Sequence, residues 1–456
     1  MKFKRKYIDT DSLMSTILVF VTLVLLPLFL SFNFFMPLKN AFYDFAMTDI
    51  NYAKLRSPEK ELADTNIVLI DIGRMSNSKL ADLLNILNQN KPRVIGIDKE
   101  LRDDEDSASN KSLALALSNV NRLVLSNRLF YDKKTKNFDS ISRSSEMFTK
   151  YGISGFTNQI TIDDRSHETV RTFKIYTKVN VGAGSQPAPK GTGFAPKGTG
   201  FAPKGTGFAP KGTGFAPKGT DTIPKESGTI SKESGSVQRD SIVHPFPVEV
   251  VHLYDPEKVQ YLYSRNNEEE IINFRGYFNK YFFIAGEQVL NYEFNSNLFS
   301  GKILLLSYFD PFNMSPLFAY KYYSPLDSNY TGKSFPDMYG IEIHANVISM
   351  IINENYFNII PSWLAIVLAF ILCYLMIISY KYIDDKYPTW YELLSLVIFV
   401  IISLLLLGAN YYSYHLLMLD LNLNYALFAI ILASPIYEAY TKSIKPLLQR
   451  MFKNKS

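Results

Sequence analysis

The chain has 456 residues, 47% of them hydrophobic and 20% charged, with a net charge of +5 and a single cysteine. The positive excess lies largely in the two ends, so it speaks of membrane orientation and gives no ground for a nucleic-acid partner. One cysteine, Cys373, excludes an internal disulfide and a Cys-ligated metal site, so any exported domain must be held by its core.

A basic tail, residues 1–12 with Lys2, Lys4, Arg5 and Lys6, precedes an apolar run at 13–36. A bilayer needs about 20 such residues in a helix, because its core offers no water to a stray backbone N–H. The run reads as a retained anchor and not a cleaved signal, since it outruns a signal core and bulky Phe32, Phe34, Phe35 and Met36 replace the small residues of a cleavage site. Residues 37–361 hold no uncharged run of that length and read as one displayed domain.

Within it, Ile67–Ile72 is a β-branched-rich run of the kind buried in a parallel strand. Leu80, Leu83, Leu84 and Leu87 recur at helical spacing over Ser76–Asn90. Val94–Asp98 is a second strand, Ser107–Ser118 a second helix, Leu123–Leu125 a third strand, and Ile303–Ser307 and Ile341–Asn353 return to strand and helix. This alternation predicts an α/β domain with a mainly parallel sheet flanked by helices. Residues 183–243 interrupt it. Ala-Pro-Lys-Gly-Thr occurs five times over Ala188–Thr220 at a period of seven. A proline and a glycine in every unit bar a helix, and one Phe per unit cannot build a core, so the insertion is expected to be a disordered linker.

Three further apolar segments follow, with spans expected at 362–380, 390–409 and 420–438, and a basic tail at 439–456 carrying Lys442, Lys445, Arg450, Lys453 and Lys455. Basic flanks stay in the cytoplasm. Both termini are therefore expected inside, with four transmembrane α-helices, one N-terminal and three C-terminal, and the domain extracytoplasmic at the cell (inner) membrane. The apolar runs Leu13–Met36, Tyr356–Tyr380, Leu393–Leu419 and Leu421–Tyr437 hold no Asp, Glu, Lys, Arg or His save His415, near an outer turn, which disfavours transport.

Several stretches of the domain resemble the CHASE2 family, an extracytoplasmic sensory module of bacterial receptors. They are Ile67–Asp71, Arg93–Asp98, Ile272–Gly276, Phe299–Leu306, Ser324–Leu326 and, most specifically, Tyr339-Gly-Ile-Glu-Ile-His-Ala-Asn346. The resemblance implies a sensor domain with one helix before it and three after. After Asp98 the sequence departs from the family pattern with Lys99–Asp106, rich in acids. The family usually appends an effector after the last helix, whereas this chain stops at Ser456. Output is therefore expected from a separate effector protein.

Five residues are candidates for ligand binding. Asp71 and Asp98 end two strands expected to be neighbours, where open α/β sheets bind ligands, or they cap the turns that follow. Glu342 and His344 bracket Ile343 on an approach expected to be extended, which would turn both to one side to ligate a metal or relay a proton; His344 is as well explained as a packed ring. Arg275 could clamp an anion or pair with Asp71 or Asp98. Neither a nucleophile motif nor a phosphate loop is present, and the residues name no cofactor, no metal and no catalytic group. The expected function is ligand sensing without enzymatic activity, for an unidentified small molecule or envelope protein, with a homodimer left open. The alternatives are an envelope scaffold that senses nothing and, more remotely, a metal-dependent hydrolase using Asp71, Asp98 and His344.

Overall fold

The computed structural model describes residues 10–30, 62–132, 137–158, 169–181, 239–309, 321–327 and 336–453. The chain divides into two compact units, one spanning Thr48–Tyr356 and the other formed by Met1–Met47 with Phe357–Ser456.

The first unit is built on a nine-stranded sheet. Helix α1 (Thr10–Leu30) belongs to the other unit, and the sheet begins with β1 (Asp64–Asp71), followed by α2 (Asn77–Gln89), β2 (Val94–Asp98), α3 (Ser107–Ser118) and β3 (Leu123–Asp132). Each helix has a cap its sequence supplies. Ser76 accepts from Lys79 N–H, and Asp106 accepts from Ala108 and Ser109 N–H, which satisfies donors a helix start leaves open. The acidic run after Asp98 serves the same end, since the Glu105 carboxylate accepts from Asn77 N–H at 2.9 and 3.0 Å. Beyond β3 come β4 (Asn137–Arg143), the short α4 (Glu146–Thr149), β5 (Ile153–Phe156), β6 (Thr172–Lys174), β7 (Thr177–Val181) and β8 (Arg239–Val243). Helices α5 (Phe246–Tyr254) and α6 (Pro256–Ser264) precede β9 (Glu269–Ile271), β10 (Tyr281–Ala285), α7 (Gly286–Leu290), β11 (Ile303–Ser307), β12 (Lys321–Tyr322), β13 (Met338–Tyr339) and α8 (Gly340–Ile352).

The parallel part runs β10-β1-β11-β2-β3, with β5 also parallel to β3; β4 is antiparallel to β3, and β8 to β7. Two expectations are corrected here. β1 and β2 are not neighbours: β11, from much later in the chain, inserts between them because its Ile-Leu-Leu-Leu run is buried on both faces as only a central strand can be. The predicted linker 183–243 is also too long at its C-terminal end, since Arg239–Val243 pairs with Thr177–Val181. The repeats themselves, Ala188–Thr220, lie outside the described residues.

Alternation along the strands separates two packed faces. Val68, Ile70, Ile95, Ile97, Leu304 and Leu306 pack with α2 and α3. The opposite face carries α5 and α8. Gly96 in β2 makes this possible, because a Cβ there would meet the Phe246 ring at 2.8 Å. At Gly155 in β5 a Cβ would meet Phe246 Cα at 2.5 Å. The two glycines thus let the first turn of α5 lie directly on the sheet.

In the second unit β14 (Asn358–Ile359) leads into α9 (Ser362–Lys386), α10 (Tyr391–Leu417), β15 (Leu419–Asp420), α11 (Asn424–Ala439), a π-helical turn at Tyr440–Ile444 and α12 (Lys445–Lys453). Of the described helices, two are long and apolar enough to cross a membrane, Ser362–Lys386 and Pro388–Leu417, where four were expected. The N-terminal one qualifies only as a shorter apolar helix over Thr10–Leu25. α11 stops after 16 residues, with Pro435 inside it and the π-helical turn just beyond. Val19, Cys373, Ile377, Tyr380, Ala429, Ala433 and Tyr437 form one core shared by α1, α9 and α11. Small residues at Ala429 and Ala433 let those backbones approach closely, as in membrane helix packing.

Candidate functional site

At the C-terminal edge of the sheet, Asp71, Ser307 and Asp98 stand side by side in register on three adjacent strands. Their positions share parity with Gly96 and oppose that of the α2–α3 face, so all three point toward the α5–α8 side. Two strand spacings put the Asp71 and Asp98 backbones about 9.6 Å apart. Asp71 Oδ1 accepts from Gly73 N–H at 2.8 Å and from Phe309 N–H at 3.0 Å. It therefore turns its own loop and ties down the chain leaving β11. Among the described residues the Asp98 carboxylate receives a long contact, 3.4 Å, from Ser307 Oγ. Asp98 also favours the charged form of His344 electrostatically.

Arg275 is elsewhere. The expected pairing with Asp71 or Asp98 is corrected, because Arg275 lies at the other end of β1. Its Nε donates to Ser349 Oγ at 2.9 Å and its Nη1 to the Leu62 carbonyl at 2.6 Å. Ser349 Oγ in turn donates to Asp64 Oδ2 at 2.6 Å, and Asn353 Nδ2 reaches the same oxygen at 3.0 Å.

The geometry expected for Glu342 and His344 is also corrected. Both lie inside α8, whose first residue is Gly340, so two positions apart means nearly opposite directions and not one side. Glu342 Oε1 accepts from Phe278 N–H and Oε2 from Tyr339 N–H, each at 2.7 Å. Burial pushes its carboxyl up to about 7, against the pull of those two donors. One turn on, Asn346 is fully buried and uses both ends of its amide. Its Oδ1 accepts from Arg275 N–H at 2.7 Å and Gly276 N–H at 3.3 Å; its Nδ2 donates to the Gly276 and Glu342 carbonyls at 2.9 and 2.8 Å. Gly276 sits at φ +152°, where a side chain is strained. Two of the family-like strings, Ile272–Gly276 and Tyr339–Asn346, are thus a loop and the helix that fastens it.

His344 belongs to neither arrangement. It is 3% exposed, its ring lies 5.3 Å from that of Phe246, and neither ring nitrogen has a hydrogen-bond partner. Burial lowers its pKa, opposed by Asp98 and by the Thr157 carbonyl, which lies outside hydrogen-bond geometry. The ring lines a small cleft open to solvent, with room for about one or two water molecules, walled by Phe156, Phe173, Pro245 and Val347 and bordered by Lys174. Asn158 also borders it, but its amide is spent on the Leu129 N–H and carbonyl at 2.9 and 3.1 Å. Lys174 and Phe173 were not foreseeable, since they sit in a three-residue strand with no motif.

A second titratable group lies close by. His244 Nδ1 and Tyr263 Oη stand 2.9 Å apart, and Glu249 on α5 is pushed by burial up to about 7. Among the described residues no group of three or more His, Cys, Asp or Glu could hold a metal ion.

The described residues thus give an α/β domain with one buried imidazole, His344, that has no hydrogen-bond partner. The chain matches the CHASE2 domain family over residues 17–378, most of its length, and belongs to that family of extracytoplasmic sensory domains. Compared with the curated proteins and with the solved structures, the chain finds no match.

Proposed function

We propose that this protein is a sensor of the bacterial cell membrane, whose CHASE2 domain binds a small molecule outside and shifts the helices that carry it. Four helices span the bilayer in this reading, both termini are cytoplasmic, and a separate effector protein supplies the output. The observation that carries the reading is the join of a CHASE2 domain to helices whose outward faces are apolar, such as Leu396, Leu404 and Leu405 on α10. Lipid accepts such faces and water does not. The two tryptophans of the chain, Trp363 and Trp390, are exposed at helix starts, as residues at a membrane–water interface are. Although α1 and α11 are short, they share the core of α9.

The charges support the same orientation. Asp11 at the start of α1 accepts from Tyr440 Oη at 3.3 Å, pairs with Lys445 and faces Lys381 at 4.0 Å. The start of the first helix and the ends of the second and fourth thus meet at one end of the bundle. That is the arrangement an inside–inside topology requires.

A sensor shifts between two states only as far as its ligand prefers one of them. The test is a thermal-shift screen of fractionated extracytoplasmic small molecules on the full chain in micelles. A fraction held at about 100 times its Kd stabilises the domain by about 2.7 kcal/mol. A folded chain that no fraction stabilises would favour the scaffold reading instead.

A further inference from the structure

We propose that the cavity beside His344 is a binding site for a carboxylate of one or two carbons, formate or acetate. Three features converge on it. The imidazole is buried with both nitrogens unsatisfied, a state that costs free energy unless a ligand or solvent meets them. The first turn of the nine-residue helix α5 forms one wall through Pro245 and Pro247, presenting the positive end of its dipole. Lys174 stands at the border, and no acidic side chain lines the space. Asp98 acts on His344 from the sheet edge without lining the cavity, and Glu342, on the same helix, is turned to Phe278. The chemistry selected is therefore one negative charge.

The rest of the lining fixes the body of the ligand. Phe156, Phe173 and Val347 are apolar walls that a hydrated inorganic anion would not match. The space clear of wall atoms holds about one or two waters, which excludes a large ligand. Formate or acetate comes nearest to both limits: its oxygens meet the imidazole and the Lys174 ammonium, and the methyl group of acetate meets the two phenyl rings. With so few atoms, its Kd is expected from tens of micromolar to the millimolar range.

This inference gives a ligand class to the sensory reading and rests on it. The two fail separately, since a screen could find another stabilising molecule while carboxylates do nothing. Formate and acetate are titrated into the full chain in micelles by calorimetry and melting, beside isopropanol as a neutral isostere of acetate and inorganic phosphate. Saturable binding of at least one carboxylate is expected, at least tenfold tighter than isopropanol or phosphate. Lys174→Met and His344→Gln should each weaken it at least tenfold while melting like the parent without ligand. Should His344→Gln not fold, Lys174→Met alone decides. The proposal is overturned if no carboxylate binds, if isopropanol or phosphate binds as well, or if the folded variants bind like the parent.

Discussion

Replacing Asn346 by Ala probes the fastening between α8 and the Arg275–Gly276 loop. The substitution removes the partner of two backbone N–H groups and one carbonyl, in addition to the bond to Glu342 O within the helix. An orphaned buried polar group costs about 1–3 kcal/mol. The three share one loop that can relax together, so their costs add incompletely. The expected loss is about 3–5 kcal/mol, roughly 6–20 °C in melting temperature for a domain of this size. Pulse proteolysis of the full chain across a urea series reads it, because cleavage follows the open population. Asn291→Ala, at an exposed site, is the control and should stay within about 0.5 kcal/mol. A loss below about 1 kcal/mol for Asn346→Ala would refute the claim that this amide holds the loop.

Two further outcomes follow from the same structure. Burial raises the Glu249 carboxyl from 4.5 to about 7, so between those values the folded chain keeps a proton the unfolded chain has lost. Its contribution is full below pH 4.5 and is lost as pH rises through 7; the histidines lowered by burial, His244, His252 and His344, act in the opposite sense near 6.5. Glu249→Gln should leave the histidine trend and abolish the decline, which urea titrations at pH 4.5, 6 and 8 would show by difference; identical curves for parent and variant would contradict the burial of this carboxyl. Deleting Ala188–Thr220 should change domain stability by less than about 1 kcal/mol, since Val181 and Arg239 are held in register and loop closure varies by only about 0.6 kcal/mol per doubling of length. A loss of several kcal/mol would show that the repeats pack.

Local pattern was enough to read β1, α2, β2, α3 and β11, because each is a short run whose period and caps are written in adjacent residues. Ser107–Ser118 was read with its observed bounds. Strand order was not legible: the insertion of β11 between β1 and β2 depends on pairing across some two hundred residues of chain. The site was legible in part. His344 and Asp98 were named from sequence and act on one another electrostatically, but Arg275 belongs to the opposite edge. The reason is that a motif marks residues under constraint without saying whether the constraint is packing or binding. Glu342 is a case of the first kind, spent on two backbone donors. Phe156 on β5 and Phe173 and Lys174 on β6 come from two short strands that only the tertiary fold brings beside α8.

The central claim, a sensory domain outside with both ends of its helical bundle inside, is tested most directly by cysteine accessibility in intact cells. In a Cys373→Ser background, single cysteines replace Leu115, exposed on α3, and Leu447, exposed on α12. A membrane-impermeant maleimide should label the Leu115→Cys protein in intact cells and the Leu447→Cys protein only after lysis. Labelling of Leu447→Cys in intact cells, or protection of Leu115→Cys until lysis, would contradict the account.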